Sequence, residues 1–253
     1  MRSNSLLGKN ALVTGAGSGI GRQVSIALAA EGARVVLAGR RLDELQVTGA
    51  EIEKLGAKYL AVVTDITHES DVIELLTKTL EGNKQLDIAV NCAGVYRGGM
   101  LDEMELENFK QLLETNTIGT WLCLKHEMQA MKKQGNGVII NIASNVGEHL
   151  TRPGTGAYGA SKAAVSVITR TAALEAIGSG VRINSISPGP VDSLMSYRPG
   201  EDRSMRDTRM TLTNPSKRVA KLDEISSAVL WLCSDGASYI VGHDLVVDGG
   251  ASV

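Results

Sequence analysis

Short apolar runs alternate with longer stretches of helical periodicity along nearly the whole chain. Runs at 9–14, 33–38, 58–63, 86–91, 137–142, 181–186 and 244–247 predict strands. Apolar positions at helical spacing predict helices over 19–31, 42–55, 69–81, 103–133, 157–177 and 222–234. Strands that alternate with helices require right-handed crossovers. The expected fold class is therefore α/β, a doubly wound, mostly parallel sheet of about seven strands with helices on both faces. No repeat, low-complexity run or linker breaks the pattern, so 1–253 reads as a single domain. The segment 191–217 is the exception: it lacks periodicity, is rich in Arg, Ser, Met and Pro, and follows a strand end, which predicts a lid or binding loop.

Composition narrows the class. The 253 residues are 43% hydrophobic with a net charge of −2, enough for a large core and without the basic excess that nucleic acid or an anionic membrane would attract. Aromatic residues make up only 3%, which argues against a base-stacking surface. Cys92, Cys123 and Cys233 are widely spaced, with no CxxC and no histidine cluster nearby, so reduced thiols fit better than disulfides or a metal site. Without an apolar signal core at the N-terminus or a run of membrane-spanning length, the expected location is cytoplasmic.

The densest chemical signal is Ala11 to Gly32, where a short apolar run breaks at Thr14-Gly15 and passes through Ser18-Gly19-Ile20-Gly21 into a helix. Gly15 permits a tight turn, Gly19 lets the backbone approach a phosphate, and Gly21 lets the helix pack close to the strand. The N–H groups and dipole at a helix start favour a pyrophosphate. A glycine-rich turn alone is weak evidence, but here a strand precedes it, a helix follows, and a second strand completes a βαβ unit.

Ligands of such sheets sit beyond the carboxyl ends of the strands. After the second strand, Gly39 takes the place of an acid that would bond the adenosine ribose, and Arg40 and Arg41 follow. Guanidinium groups suit a 2′-phosphate, so NADP(H) is the preferred cofactor, with NAD(H) left open; the bland alternative is a pair of solvated arginines. Asp65 and Ile66 follow the third strand, Asn91, Cys92, Ala93 and Gly94 end the fourth, Ser144 and Asn145 follow the fifth, and Pro188-Gly189-Pro190-Val191-Asp192-Ser193 follows the sixth. Tyr158 and Lys162, four apart on a predicted helix, share one face.

Thr14-Gly15, Gly19-Ile20-Gly21, Asn91-Cys92-Ala93-Gly94, Asn116, Ser144, Tyr158 and Lys162 together resemble the short-chain dehydrogenase/reductase family over nearly the whole chain. Cys92 stands where that family's signature carries a second Asn. Ser144 and Tyr158 are fourteen positions apart, one more than in many members, which suggests a one-residue insertion in the 145–157 loop. The resemblance implies a Rossmann-type fold. It also implies a catalytic set of Asn116, Ser144, Tyr158 and Lys162, with Asn116 holding a water that links Lys162 to a proton relay. Asp65 and Ile66 would meet the adenine, Lys162 the nicotinamide ribose, Tyr158 the cofactor beside it, and Pro188, Gly189, Val191 and Ser193 the nicotinamide. The C-terminal glycine turn implies a homotetramer.

The chemistry implied is interconversion of a secondary alcohol and a ketone. A phenol titrates too high to serve as a base near neutrality. A unit charge about 5 Å away at an effective dielectric of about 20 is worth roughly 3 kcal/mol, or about 2 pKa units, so Lys162 and an oxidised nicotinamide are expected to bring Tyr158 down. Substrate contacts are sought in Tyr96, Asn145, His149 and Met195, and the partner expected is a small carbonyl or alcohol compound. No metal is expected. The alternatives are a 3-oxoacyl-carrier-protein reductase, disfavoured by Leu174 where many such enzymes place a basic residue before Glu175, and a catalytically silent dinucleotide-binding regulator.

Overall fold

In the computed structural model, which describes residues 5–253, seven strands form one parallel sheet in the order β3-β2-β1-β4-β5-β6-β7. They are β1 (Asn10–Thr14), β2 (Arg34–Gly39), β3 (Tyr59–Val63), β4 (Ile88–Asn91), β5 (Gly137–Ile142), β6 (Val181–Pro188) and β7 (Asp244–Val247). The order reverses between β1 and β4, the position at which a doubly wound sheet opens a crevice for a ligand. All seven predicted strands are present, within a residue or two of their expected ends.

The central strands are apolar on both faces because both faces are covered. Val13, Val35, Leu37, Val90 and Ile140 pack on one side with Val24 and Leu28 of α1 (Gly19–Ala30), Leu45 of α2 (Leu42–Lys54), and Ile225 and Val229 of α9 (Leu222–Cys233). Leu12, Val36, Ala89, Ile139 and Ile183 pack on the other with Val72 and Leu75 of α3 (Glu69–Asn83), Leu124 of α5 (Thr120–Gln134), and Ala172 and Ala173 of α7 (Gly156–Ala176).

The predicted 103–133 helix begins three residues later and is not continuous. Leu106–Leu112 is α4, Leu113–Gly119 is a π-helical segment, and α5 follows. Such segments concentrate at functional sites, and this one carries Asn116. The predicted irregular stretch 191–217 contains a helix, α8 (Arg203–Thr213), capped by Asp202, whose carboxylate accepts from the Met205 N–H at 2.8 Å. The one-turn α6 (Asn145–Glu148) follows Ser144 and includes Gly147 at φ +130. A Cβ there would meet the Gly159 carbonyl at 2.6 Å, so glycine lets this loop lie directly on α7.

Candidate active site

The glycine loop forms as its residues dictate. Gly15 (φ +66) and Gly19 (φ +52) are left-handed, and a Cβ on Gly15 would stand 2.9 Å from Ala93 Cα. A Cβ on Gly21 would collide with the Gly15 carbonyl, so α1 packs against its own strand only with glycine there. Gly19 faces open space apart from Ser193, whose Cβ would be 3.7 Å away. The glycine loop and the turn after β6 therefore face each other across the carboxyl ends of the strands. Ser18 makes no side-chain cap to α1, and the first turn of α1, through Ile20, contains no acid. This uncapped N-terminus of a twelve-residue helix fits an external anion. The Thr14 hydroxyl, to which the sequence assigns no role beyond its place in the motif, accepts from the Cys92 and Ala93 N–H groups at 3.1 and 3.2 Å and ties β1 to β4.

Beyond the end of β2, Arg40 is exposed beside Asp65. Burial pushes the Asp65 carboxyl up, but hydrogen bonds from Thr67 and the nearby Arg40 hold it below its ordinary value. The Thr67 N–H and hydroxyl donate to one Asp65 oxygen at 3.0 and 2.8 Å, so Asp65 shapes the turn as well as facing Arg40. Arg41 pairs with Glu44 at 2.5 Å, and a Cβ on Gly17 would lie 3.0 Å from the Glu44 carboxylate. Ile66 is buried against Gly119 of the π segment.

The predicted catalytic residues converge where β4, β5 and α7 meet. The Ser144 hydroxyl is hydrogen-bonded to the Tyr158 phenol, and its oxygen accepts from the Val146 N–H at 3.1 Å. Tyr96 sets its ring edge on Tyr158, with centroids 5.0 Å apart and planes at 71°. Lys162, 5% exposed, donates to the Ile142 carbonyl at 2.8 Å, and burial lowers its ammonium to about 8. A Cβ on Gly94 would lie 3.2 Å from Asn116 Oδ1 and 3.4 Å from Lys162 Nζ, so these two meet over that glycine. Asn116 spends its side chain on the backbone of the β4 loop: the Val95 N–H donates to it at 2.8 Å, and its amide donates to the Val95 carbonyl and Ser161 hydroxyl at 2.9 and 3.0 Å.

Burial raises the Tyr158 phenol, and the Ser144 hydrogen bond only partly opposes this. Lys162 acts on the Ile142 carbonyl and not on the phenol, so this arrangement lacks the expected downward shift of Tyr158. Burial likewise pushes the Cys92 thiol up to about 12, leaving it inert.

The chain resembles known proteins along nearly its whole length. A family model described as enoyl-(acyl carrier protein) reductase covers residues 15–252. The chain is 36% identical to the short chain dehydrogenase/reductase astE of Aspergillus oryzae, over 98% of this chain and 97% of that one. It belongs to the short-chain dehydrogenase/reductase family. It is also 37% identical to the 2,5-dichloro-2,5-cyclohexadiene-1,4-diol dehydrogenase of Sphingobium indicum, over 97% of each chain. The solved structure of a 7α-hydroxysteroid dehydrogenase complexed with NADH and 7-oxo glycochenodeoxycholic acid superposes with a TM-score of 0.91 at 30% identity, covering 99% of this chain and 97% of that one.

Other predicted residues of this short-chain dehydrogenase/reductase are engaged differently from expectation. The Asn91 side chain is buried away from the cleft and donates to Glu127 at 2.8 Å and Asn141 at 3.0 Å, so only its backbone is left to border a dinucleotide. Asn145 donates to Asp248 at 3.1 Å, and Asp248 packs on Gly189, where a Cβ would stand 2.7 Å from Asp248 Cα. The C-terminal turn thereby backs the Pro188-Gly189 turn. His149 binds Asp244 at 3.0 Å, and Ser166 and Ser187 donate to the same carboxylate at 2.9 Å. Asn145 and His149 thus hold the loop after β5, while Tyr96 and Met195 stay exposed at the cleft side. Among the described residues there is no cluster that could hold a metal, and no helix is long and apolar enough to cross a membrane.

Proposed function

We propose that this protein is an NADP(H)-dependent oxidoreductase that interconverts a secondary alcohol and a ketone on a small substrate, with Tyr158 as acid/base. The observation that carries the reading is the Ser144 hydroxyl on the Tyr158 phenol, with Lys162 one helical turn further along α7. When bound, the nicotinamide supplies or accepts the hydride. In reduction Tyr158 gives its phenol proton to the oxygen that becomes the alcohol, and in oxidation it takes that proton back. Because the Ser144 oxygen accepts from Val146, its one proton points to the Tyr158 oxygen, and with substrate bound it shifts to the charge that develops on the substrate oxygen. In this reading the Lys162 ammonium returns the proton to the phenol through water, and Asn116, its side chain taken up by Val95 and Ser161, fixes the helix beside that path. Val191 and Ser193 hold the carboxamide end, and Gly15, Ser18, Gly19, Ile20 and Gly21 hold the pyrophosphate.

The preference for NADP(H) rests on Gly39 in place of an acid and on the exposed Arg40 beside Asp65. The substrate faces Tyr96, Met195 and Leu194, a largely apolar edge that suits a ring carrying one oxygen; two of the relatives compared act, by their names, on ring alcohols. A 3-oxoacyl-carrier-protein reductase remains the second reading, which Leu174, 78% exposed before Glu175, disfavours because it offers no cation to an acidic carrier. A cytoplasmic homotetramer completes the proposal.

The experiment is a screen of cyclic and short linear ketones with NADPH, following loss of reduced-nicotinamide absorbance, with acetoacetyl thioester as a comparator. Turnover of ring ketones above the thioester supports the reading. Turnover of the thioester alone replaces it with the second, and turnover of neither in a protein that binds NADPH removes the enzyme assignment.

A further inference from the structure

Arg206 lies on α8, at the surface side of the segment that follows β6, yet its side chain is only 1% exposed. Its guanidinium donates to Asp192 at 2.5 Å, to the Ser196 hydroxyl at 3.2 Å and, through two nitrogens, to Asp207 at 3.0 and 2.8 Å. The same group lies over the Tyr197 ring, 4.6 Å from its centroid. One cation thus gathers residues 192, 196 and 197 onto the helix. Arg209, on the next turn of α8, grips both oxygens of Glu201 at 2.7 Å and donates to the Ser196 carbonyl at 2.8 Å.

What Arg206 holds is the wall of the cleft. Asp192 stands between Val191 and Ser193, and Ser193 is the residue that faces Gly19 across the phosphate loop. From the other side the Asp192 N–H donates to the Ala220 carbonyl at 2.9 Å, and the Ala220 N–H donates to the Pro190 carbonyl at 2.8 Å. Leu194 and Met195, both exposed, sit between the two residues that Arg206 grips. Removing a guanidinium from water is costly unless its donors are satisfied, and an apolar side chain would fill the same space on α8 without that cost. The fork geometry is therefore spent on position: a planar group with five donors reaches several acceptors and a ring face together, which a lysine cannot do.

We infer that Arg206 is a positioning residue that couples the seating of α8 to the dinucleotide, by fixing Val191–Ser193 for the cofactor and the Leu194–Met195 edge for the substrate. This rests on the dinucleotide-dependent reading above. It makes α8 part of the cofactor site although no residue of that helix is expected to touch the cofactor.

The test is a double-mutant cycle of Arg206→Met and Asp192→Asn, with Arg206→Lys as the conservative arm. It is read by NADPH titration and by tryptic cutting within 198–217 with and without NADPH, the cuts being located by mass spectrometry. In the wild type NADPH slows cutting of this segment. In Arg206→Met and in Asp192→Asn the NADPH affinity falls about tenfold, the equivalent of 1.4 kcal/mol, and NADPH no longer protects. The double variant is little worse than Arg206→Met alone, because that change already removes the contact to Asp192. Arg206→Lys recovers less than half of the lost affinity. Circular dichroism and the thermal midpoint identify any variant that fails to fold, and Asp192→Asn then carries the cycle alone with Arg206→Lys. Wild-type NADPH affinity and protection in the folded variants overturn the inference. Failure of the wild-type protein to bind NADPH or NADH is distinguishable: it ends the dinucleotide reading and the coupling with it, while cofactor-free cutting still reports whether Arg206 holds the segment.

Discussion

Tyr96 stands edge-on to Tyr158, ring centroids 5.0 Å apart, while the Ser144 hydroxyl holds the phenol oxygen from the other end. The ring is fixed by packing and the oxygen by hydrogen bonding, so the two can be separated by mutation. Tyr158→Phe keeps the aromatic contact and loses only the proton donor. Turnover falls by roughly 10²–10⁴-fold, the range typical of a lost acid/base group, while NADPH affinity stays within a factor of two or so of wild type. Steady-state kinetics and a titration of the same preparation check both halves.

The two arginines after β2 give a prediction of opposite signs. Arg40 is the exposed cation beside Asp65, whereas Arg41 is tied to Glu44 next to Gly17. Arg40→Ala weakens NADPH binding about tenfold and leaves NADH nearly unchanged, because the charge-assisted bonds to a 2′-phosphate are lost. Glu44→Gln tightens NADPH by a few-fold, since it frees Arg41 and removes a negative charge from the phosphate approach. Fluorescence titrations of the two variants with both cofactors read the ratio.

Glu127 is wholly buried beneath β4, hydrogen-bonded to Asn91 through one oxygen, and burial raises its carboxyl to about 7. Its other oxygen and Asn91 Oδ1 have no partner. With an ordinary value of 4.5 in the unfolded chain, the folded protein keeps a proton that the unfolded one releases, so this group's contribution to stability falls as pH rises from about 4.5 to about 7. The loss across that window is on the order of 3 kcal/mol. Glu127→Gln removes it: the variant gains on the wild type between pH 5 and pH 8, read as the difference in denaturant midpoint.

Gly15→Ala tests the cradle. The left-handed φ of +66 costs about 1–2 kcal/mol with a Cβ, and the Cβ would press on Ala93 at 2.9 Å. The thermal midpoint drops by several degrees and NADPH binding is lost to a greater extent than stability, because the β1 and β4 ends that border the cleft are pushed apart.

The strands were legible because each is a short apolar run closed by Gly, Asn, Ser or Pro, and the crevice followed from their alternation with helices. Gly15, Gly19 and Gly21 were legible because only glycine satisfies the turns and close approaches they occupy. Other features depend on partners far along the chain. Asp244 is built by His149, Ser166 and Ser187, and nothing around position 244 announces them. The Asn145–Asp248 bond spans 103 residues, so Asn145 next to Ser144 reads as a substrate contact when only the local chain is considered. The π segment leaves no period of its own in seven residues. Helix α8 was hidden because its turns carry Arg, Asp and Thr, and its buried face pairs Met210 with a charge: Arg206 takes a place where a periodic pattern would show an apolar residue.

The central claim is that the cleft between Gly19 and Ser193 holds NADP(H). Its most direct test is a titration of the purified protein with NADPH and with NADH, following the fluorescence of the bound nicotinamide. A cleft of this kind, with Arg40 exposed beyond β2, predicts saturable binding of both, with NADPH tighter by about tenfold or more. Equal or tighter binding of NADH would contradict the role given to Arg40, and binding of neither would contradict the assignment of the cleft itself.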